Sequence, residues 1–137
     1  MEGLCGMVDC EAVGADIELL AKKIVDAAYH VHKTIGPGLL ESVYEVCLGF
    51  ELSRRNLVFQ RQLQIPIIYD GHKLDAGLRL DMLVEGKVIV ELKSVETMIP
   101  LFEAQVLTYL KLTNHRLALL INFNVPLIKN GIRRIVL

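Results

Sequence analysis

The chain has only three cysteines, Cys5, Cys10 and Cys47, an odd number at irregular spacing. That argues against a disulfide framework or a zinc site and fits a reducing compartment. A dominant charge is missing as well: fifteen Lys and Arg stand against sixteen Asp and Glu, for a formal net charge of −1. No bulk positive field draws the chain to nucleic acid or membrane, so any polyanion contact must come from a local patch. Long apolar runs are absent too. The longest, "LALLI" at 117–121, is far too short to span a bilayer. The opening "MEGLCGMVDCEAVGADIE" lacks a basic segment followed by a long apolar core, so it does not read as a signal peptide. A soluble, cytoplasmic protein without a membrane partner is expected. There is no internal repeat and no low-complexity tract.

What is present suits a globular fold: 53% apolar and 23% charged residues in a chain of 137. This length favours one domain, able to bury about two-thirds of its unfolded surface. Residues 1–15 show no period and read as a loose extension. Residues 16–137 read as the domain. From Ile17 to Ile35 apolar residues recur at helical spacing, and Gly36-Pro37-Gly38 stops that helix. A second helix is predicted from Leu40 to Arg55. After Asn56 the period becomes two. "VFQRQLQIPIIYD" reads as a strand with an edge or bulge at Pro66, and Asp70-Gly71 as a hairpin turn. A strand from Lys73 to Val84, interrupted at Gly77, leads through "EGK" to another at Val88–Lys93. Pro100 opens a helix to Thr113. "RLALLINF" and "GIRRIVL" are the last strands, the first apolar enough to be covered on both faces. The predicted fold class is α/β (α+β), a mixed central sheet flanked by helices in the order α-α-β-β-β-α-β-β.

One hairpin breaks the apolar pattern. "RLDMLVEGKVIVELKS" (79–94) carries Asp81, Glu91 and Lys93 where Val or Ile fits the rhythm. Strand alternation puts Leu80, Met82 and Val84 on one face, with Arg79, Asp81 and Leu83 on the other. A two-residue loop would pair Asp81 with Val90. A three-residue loop, Glu85-Gly86-Lys87, pairs Val84 with Val88 and so Asp81 with Glu91. That register, or a bulge with the same effect, is the one expected, with Gly86 supplying a left-handed residue. Opposed Cβ atoms lie about 4.5–5.5 Å apart, so the two carboxylates repel, and a divalent cation such as Mg²⁺ removes the conflict. Lys93 points the same way and can neutralise charge on a phosphate. Two readings fit: a solvated ion-pair ladder, or a buried site for phosphodiester hydrolysis. The apolar neighbours in "KVIVEL" favour the second.

"GLLESVY" (38–44) matches the Gly-x-x-Glu-x-x-Tyr signature of GxxExxY proteins, and "RLDMLVEGKVIVELKSVE", "EAQVLTYLKLT" and "LLINFNVPLIKNGIRRIVL" resemble that family's later blocks. The resemblance covers residues 17–137. The family is placed in the PD-(D/E)xK nuclease-like superfamily, which implies a restriction-endonuclease-like core and Mg²⁺-dependent hydrolysis of nucleic acid, with Mn²⁺ as a substitute. It implies Asp81 and Glu91 as metal ligands, the Leu92 backbone carbonyl as a third, and Lys93 as the catalytic lysine. Glu41 resembles an extra acidic residue of the preceding helix, and Gln105 a polar residue lining the same pocket. The proline expected before the aspartate is Leu80 here. The superfamily also has inactive members, so a non-catalytic nucleic-acid-binding or protein-interaction module is the alternative.

Other residues have plain readings beside the functional ones. Glu41 in a first helical turn suits the dipole. Tyr44 shares its face and either orients that carboxylate or is a core aromatic with a satisfied hydroxyl. Gln105 and Tyr109 share a helix face. His30 and His32 point apart on their helix and make a poor metal pair. Gly36-Pro37-Gly38 lacks the Lys-Ser/Thr of a phosphate loop. Arg54, Arg55, Arg61, Lys129, Arg133 and Arg134 are the basic residues nearest to forming a patch for nucleic acid, a solvated face being the alternative. The high apolar fraction also fits self-association into a homo-oligomer.

Overall fold

A computed structural model describes residues 13–137. Most of the extension expected over 1–15, with Cys5 and Cys10, falls outside the described residues. The first helix, α1 (Ala15–Ile35), turns Leu20, Ala21, Ile24, Val25, Ala28 and Val31 inward. Asp16 and Glu18 in its first turn and His32 and Lys33 in its last suit the helix dipole. Gly36, at φ 70, ends it. The second, α2 (Glu41–Arg54), buries Tyr44, Leu48 and Leu52 completely. Each such leucine contributes roughly 1.5–3 kcal/mol relative to exposure. Among the described residues no helix is long and apolar enough to cross a membrane.

The two long strands predicted after α2 are each broken in two. Pro66 cannot donate to a ladder and Gly77 takes φ 72, so pairing lapses at both. The outer pieces, β2 (Ile67–Tyr69) and β3 (His72–Leu74), form a separate hairpin. Its turn is Asp70-Gly71, both at positive φ (55 and 79) as a tight hairpin of this kind requires. The inner pieces, β1 (Phe59–Gln64) and β4 (Arg79–Val84), enter the main sheet with β5 (Val88–Lys93). Helix α3 (Pro100–Thr113), β6 (Leu117–Asn122), a 3-10 turn at Ile128–Asn130 and β7 (Ile132–Val136) complete the chain.

The five-stranded sheet runs β1-β4-β5-β6-β7. Only β5 and β6 are parallel, joined by the crossover through α3. The helices and the main sheet alone thus keep the predicted order, α-α-β-β-β-α-β-β. Helices α1 and α2 cover one face over Met82, Val84, Val88, Val90, Leu119 and Ile121. Helix α3 covers the other through Val106 and Leu110, over Ile89, Ala118 and Leu120. Strand β6 is buried at every residue, as its nearly all-apolar sequence predicts, and its last residue, Asn122, is the one buried polar exception. Past its end the chain folds back so tightly that a Cβ on Gly131 would lie 2.1 Å from the Asn122 carbonyl oxygen, which leaves room for glycine alone.

The turn between α1 and α2 is clamped from two sides. The Tyr44 hydroxyl donates to the Gly36 carbonyl at 2.6 Å and accepts from the Leu39 N–H at 3.1 Å. Its ring stacks on Phe123 with centroids 4.5 Å apart. From the sheet, the Ser94 hydroxyl donates to the Leu39 carbonyl at 2.5 Å. Tyr44 is therefore the core aromatic with a satisfied hydroxyl, and it fixes where α2 begins. Tyr44→Phe keeps the stack but leaves the Gly36 carbonyl and Leu39 N–H without this partner. Urea denaturation should show a loss of about 2 kcal/mol.

Candidate functional site

Strands β4 and β5 meet in the turn Glu85-Gly86-Lys87. Glu85 and Gly86 both take left-handed φ (52 and 65), and the Lys87 N–H donates to the Val84 carbonyl. Glu85 is held there by Val58: its N–H donates to the Val58 carbonyl, and its carboxylate accepts the Val58 N–H, both at 2.7 Å. The ladder then pairs Val84 with Val88, Leu83 with Ile89 and Met82 with Val90. The next step sets Asp81 opposite Glu91, the register of the three-residue loop. Here side chains replace the ladder. The Asp81 N–H donates to Glu91 Oε1 at 3.0 Å, and the Leu92 N–H donates to Asp81 Oδ2 at 2.9 Å. Each carboxyl is bonded to the main chain of the opposite strand, so the two converge.

The other side of β4 is less regular than alternation predicts. Pairing of β1 with β4 skips Gln62 and Asp81, though the register is the same on both sides of the gap. Gln62 is left-handed, at φ 51. Across the gap the packing changes sides: Met82 and Val84 lie under α1 and α2, whereas Leu80 packs with Leu83, Ile89 and the α3 residues. The expectation that Leu80 shares a face with Met82 and Val84 is corrected accordingly.

Burial sets the electrostatics. Glu91 is 7% exposed in a strand covered on both faces. Desolvation first, then the charge of Asp81, pushes its carboxyl up to about 9, while the Asp81 N–H and Lys93 pull the other way. Glu41, at the exposed start of α2, has its carboxyl raised by desolvation, opposed by Lys93 and reinforced by Asp81 and Glu45. The Tyr109 hydroxyl is raised by desolvation, then by Glu91 and Asp81. Glu41, Asp81, Glu91, Lys93 and Tyr109 therefore share one neighbourhood. The Lys93 ammonium lies 4.3 Å from the centre of the Phe102 ring, a cation–π contact. Among the described residues it makes no ion pair. Gln105 lies on the helix face between Phe102 and Tyr109 and is exposed.

Two contributors escape a reading of the sequence. Phe102 is three residues before Gln105, and only the fold brings it to Lys93. Glu45, buried one turn after Glu41, accepts from Arg61 and Gln62. Its four-residue spacing from Glu41 was the available signal. The basic residues expected as patches are mostly neutralised. Arg55 pairs with Asp26 and Glu51, Arg54 with Glu51, Arg61 with Glu45, Arg133 with Glu103, and buried Arg134 with Glu18. His30 faces Glu51, while His32 meets the Val125 carbonyl, so the two do diverge.

The donors at the centre are carboxylate oxygens, the chemistry of a hard divalent cation. Among the described residues no group of three or more His, Cys, Asp or Glu side chains is gathered for a metal. Such an ion would thus be held by two acids, with main-chain, water or phosphate oxygens completing its shell, as suits Mg²⁺. A family profile described as the PD-(D/E)XK nuclease superfamily matches residues 18–135. No curated protein and no solved structure matches the chain.

Because Glu91 keeps its proton more tightly folded than unfolded, its contribution to stability is complete below about 4.5 and is lost as pH rises towards 9. In metal-free buffer the melting temperature should fall across this window. Glu91→Gln should flatten the fall and melt several degrees above wild type near pH 8.

Proposed function

The chain belongs to the PD-(D/E)XK nuclease superfamily, and from that premise we propose that it is a divalent-metal-dependent nuclease hydrolysing phosphodiester bonds in nucleic acid. The observation that carries this reading is the convergence of Asp81 and Glu91 across the end of the β4–β5 ladder. Asp81 and Glu91 would hold Mg²⁺ or Mn²⁺, with the Leu92 carbonyl as a third protein oxygen and Glu41 as an outer acid. The bound ion supplies Lewis acidity towards water and phosphate. Lys93, whose ammonium is aimed by the Phe102 ring, donates to a phosphate oxygen and offsets the charge that develops in the transition state. Gln105, between Phe102 and Tyr109, orients substrate at the rim. Glu91 must give up its proton before it can serve as a ligand, so binding of the ion and proton release are coupled.

We assign Gly38, Glu41 and Tyr44 to the GxxExxY signature, and the physical role of each supports this. Gly38 takes φ 97 in the turn, Tyr44 ties that turn down, and Glu41 begins the helix that it aims. A second reading, a protein-interaction module without catalysis, draws on the ion pairing that takes Arg54, Arg55, Arg61, Arg133 and Arg134 out of any patch for nucleic acid.

Two measurements test the nuclease reading. With Mg²⁺ or Mn²⁺ and mixed DNA and RNA, wild type should cleave, and Lys93→Ala should lose about 100-fold or more in rate while still binding Mn²⁺. Absence of cleavage on every substrate, or an unchanged rate in the variant, overturns it. Calorimetry of Mn²⁺ binding near pH 7, in buffers of different ionisation enthalpy, should show about one proton released, and Asp81→Ala should abolish the binding.

A further inference from the structure

Regular strands exclude left-handed residues other than glycine, yet Gln62 takes φ 51 inside β1. Its surroundings explain how. The Gln62 side-chain amide donates to Glu45 Oε1 at 2.7 Å. Arg61, the residue before it, donates through Nε and an Nη to Glu45 Oε2 at 3.1 and 2.9 Å. Glu45 is buried on α2. Its two oxygens thus grip two successive residues of β1 from the helix. One turn further on, α2 also meets β1 at a point where a Cβ on Gly49 would lie 3.0 Å from the Phe59 ring.

Opposite Gln62 stands Asp81, the one step at which the β1–β4 ladder is missing. Pairing holds one register on both sides, so the gap is not a slip. It is a local rotation that also moves Leu63 and Leu80 to the α3 side. A ladder that continued through this step would commit the main chain of Asp81 to its neighbours and set its side chain by simple alternation. Instead its N–H is free to donate to Glu91 and its carboxylate to accept from Leu92.

We propose that Glu45 is a positioning residue: by holding Gln62 left-handed it opens the ladder at Asp81 and sets the direction from which Asp81 meets Glu91. The proposal rests on the reading of Asp81 and Glu91 as the metal-binding pair, but its geometric core is a property of the protein alone. Glu45 itself is turned towards Arg61 and Gln62 of β1.

The test is amide hydrogen exchange by NMR on the metal-free protein, reading the Asp81 and Leu92 N–H groups. Gln62→Gly keeps the left-handed backbone accessible, so it removes the tie to Glu45 without introducing strain. Glu45→Gln keeps one acceptor oxygen and replaces the other with a donor, so Arg61 and Gln62 can no longer both be satisfied. Combined with Gln62→Glu it restores the bond with donor and acceptor exchanged. Both single variants should speed exchange at Asp81 and Leu92 about tenfold or more and leave Leu119 and Leu120 of the central strand unchanged. The double variant should return both amides to near the wild-type rate. Mn²⁺ affinity, read by calorimetry, should weaken about fivefold or more in the single variants and recover in the double. Unchanged exchange at Asp81 and Leu92 in both single variants overturns the proposal. So does uniform acceleration across the sheet, which marks a merely structural anchor. If wild type binds no Mn²⁺, the metal-site reading falls and the exchange data alone decide the positioning.

Discussion

Asp81 and Glu91 stand opposite each other on adjacent strands, and each carboxyl is satisfied by the other strand's main chain. Two acids this close, one of them almost wholly withdrawn from water, raise the free energy of the folded chain when both are charged. Their placement is nonetheless specified from several directions. The turn at Glu85-Gly86, braced by Val58, sets the register that opposes them. The parallel neighbour β6 holds Glu91 in a central strand. Tyr44 and Ser94 fix the turn that starts α2 beside them. Helix α3 closes the far side with Phe102 and Tyr109.

Charge elsewhere follows a different rule. Glu18, Glu45 and Glu51 are also buried acids, and each has an arginine at ion-pair distance. Those pairs satisfy buried charge locally. Glu91 has no such partner among the described residues, and nearby Lys93 lies over an aromatic ring instead. The other buried acids are thus met by arginine, whereas Glu91, buried beside Asp81, holds its proton instead. This difference is confined to one place, and it sets the hairpin apart from a surface ion-pair ladder.

Much of this was legible in the chain because it depends on neighbours in sequence. Helix periods, the stop at Gly36-Pro37-Gly38, the turns at Asp70-Gly71 and Glu85-Gly86-Lys87, and the fully buried β6 all follow from local pattern. The opposition of Asp81 to Glu91 followed from loop length alone. The rest depended on contacts between distant segments. The left-handed Gln62 is bonded to an acid seventeen positions away on another element. That exception moves Leu80 to the wrong face for any simple alternation. The arginine patches dissolved for the same reason: Arg134 finds Glu18, and Arg133 finds Glu103, only once the sheet and helices are assembled.

The most direct measurement is anomalous diffraction from a crystal soaked in Mn²⁺. A density peak at coordination distance from both the Asp81 and Glu91 carboxylates is the expected result. A crystal in which Mn²⁺ occupies other positions, or leaves these two acids bonded only to the main chain, contradicts a metal centre at this hairpin.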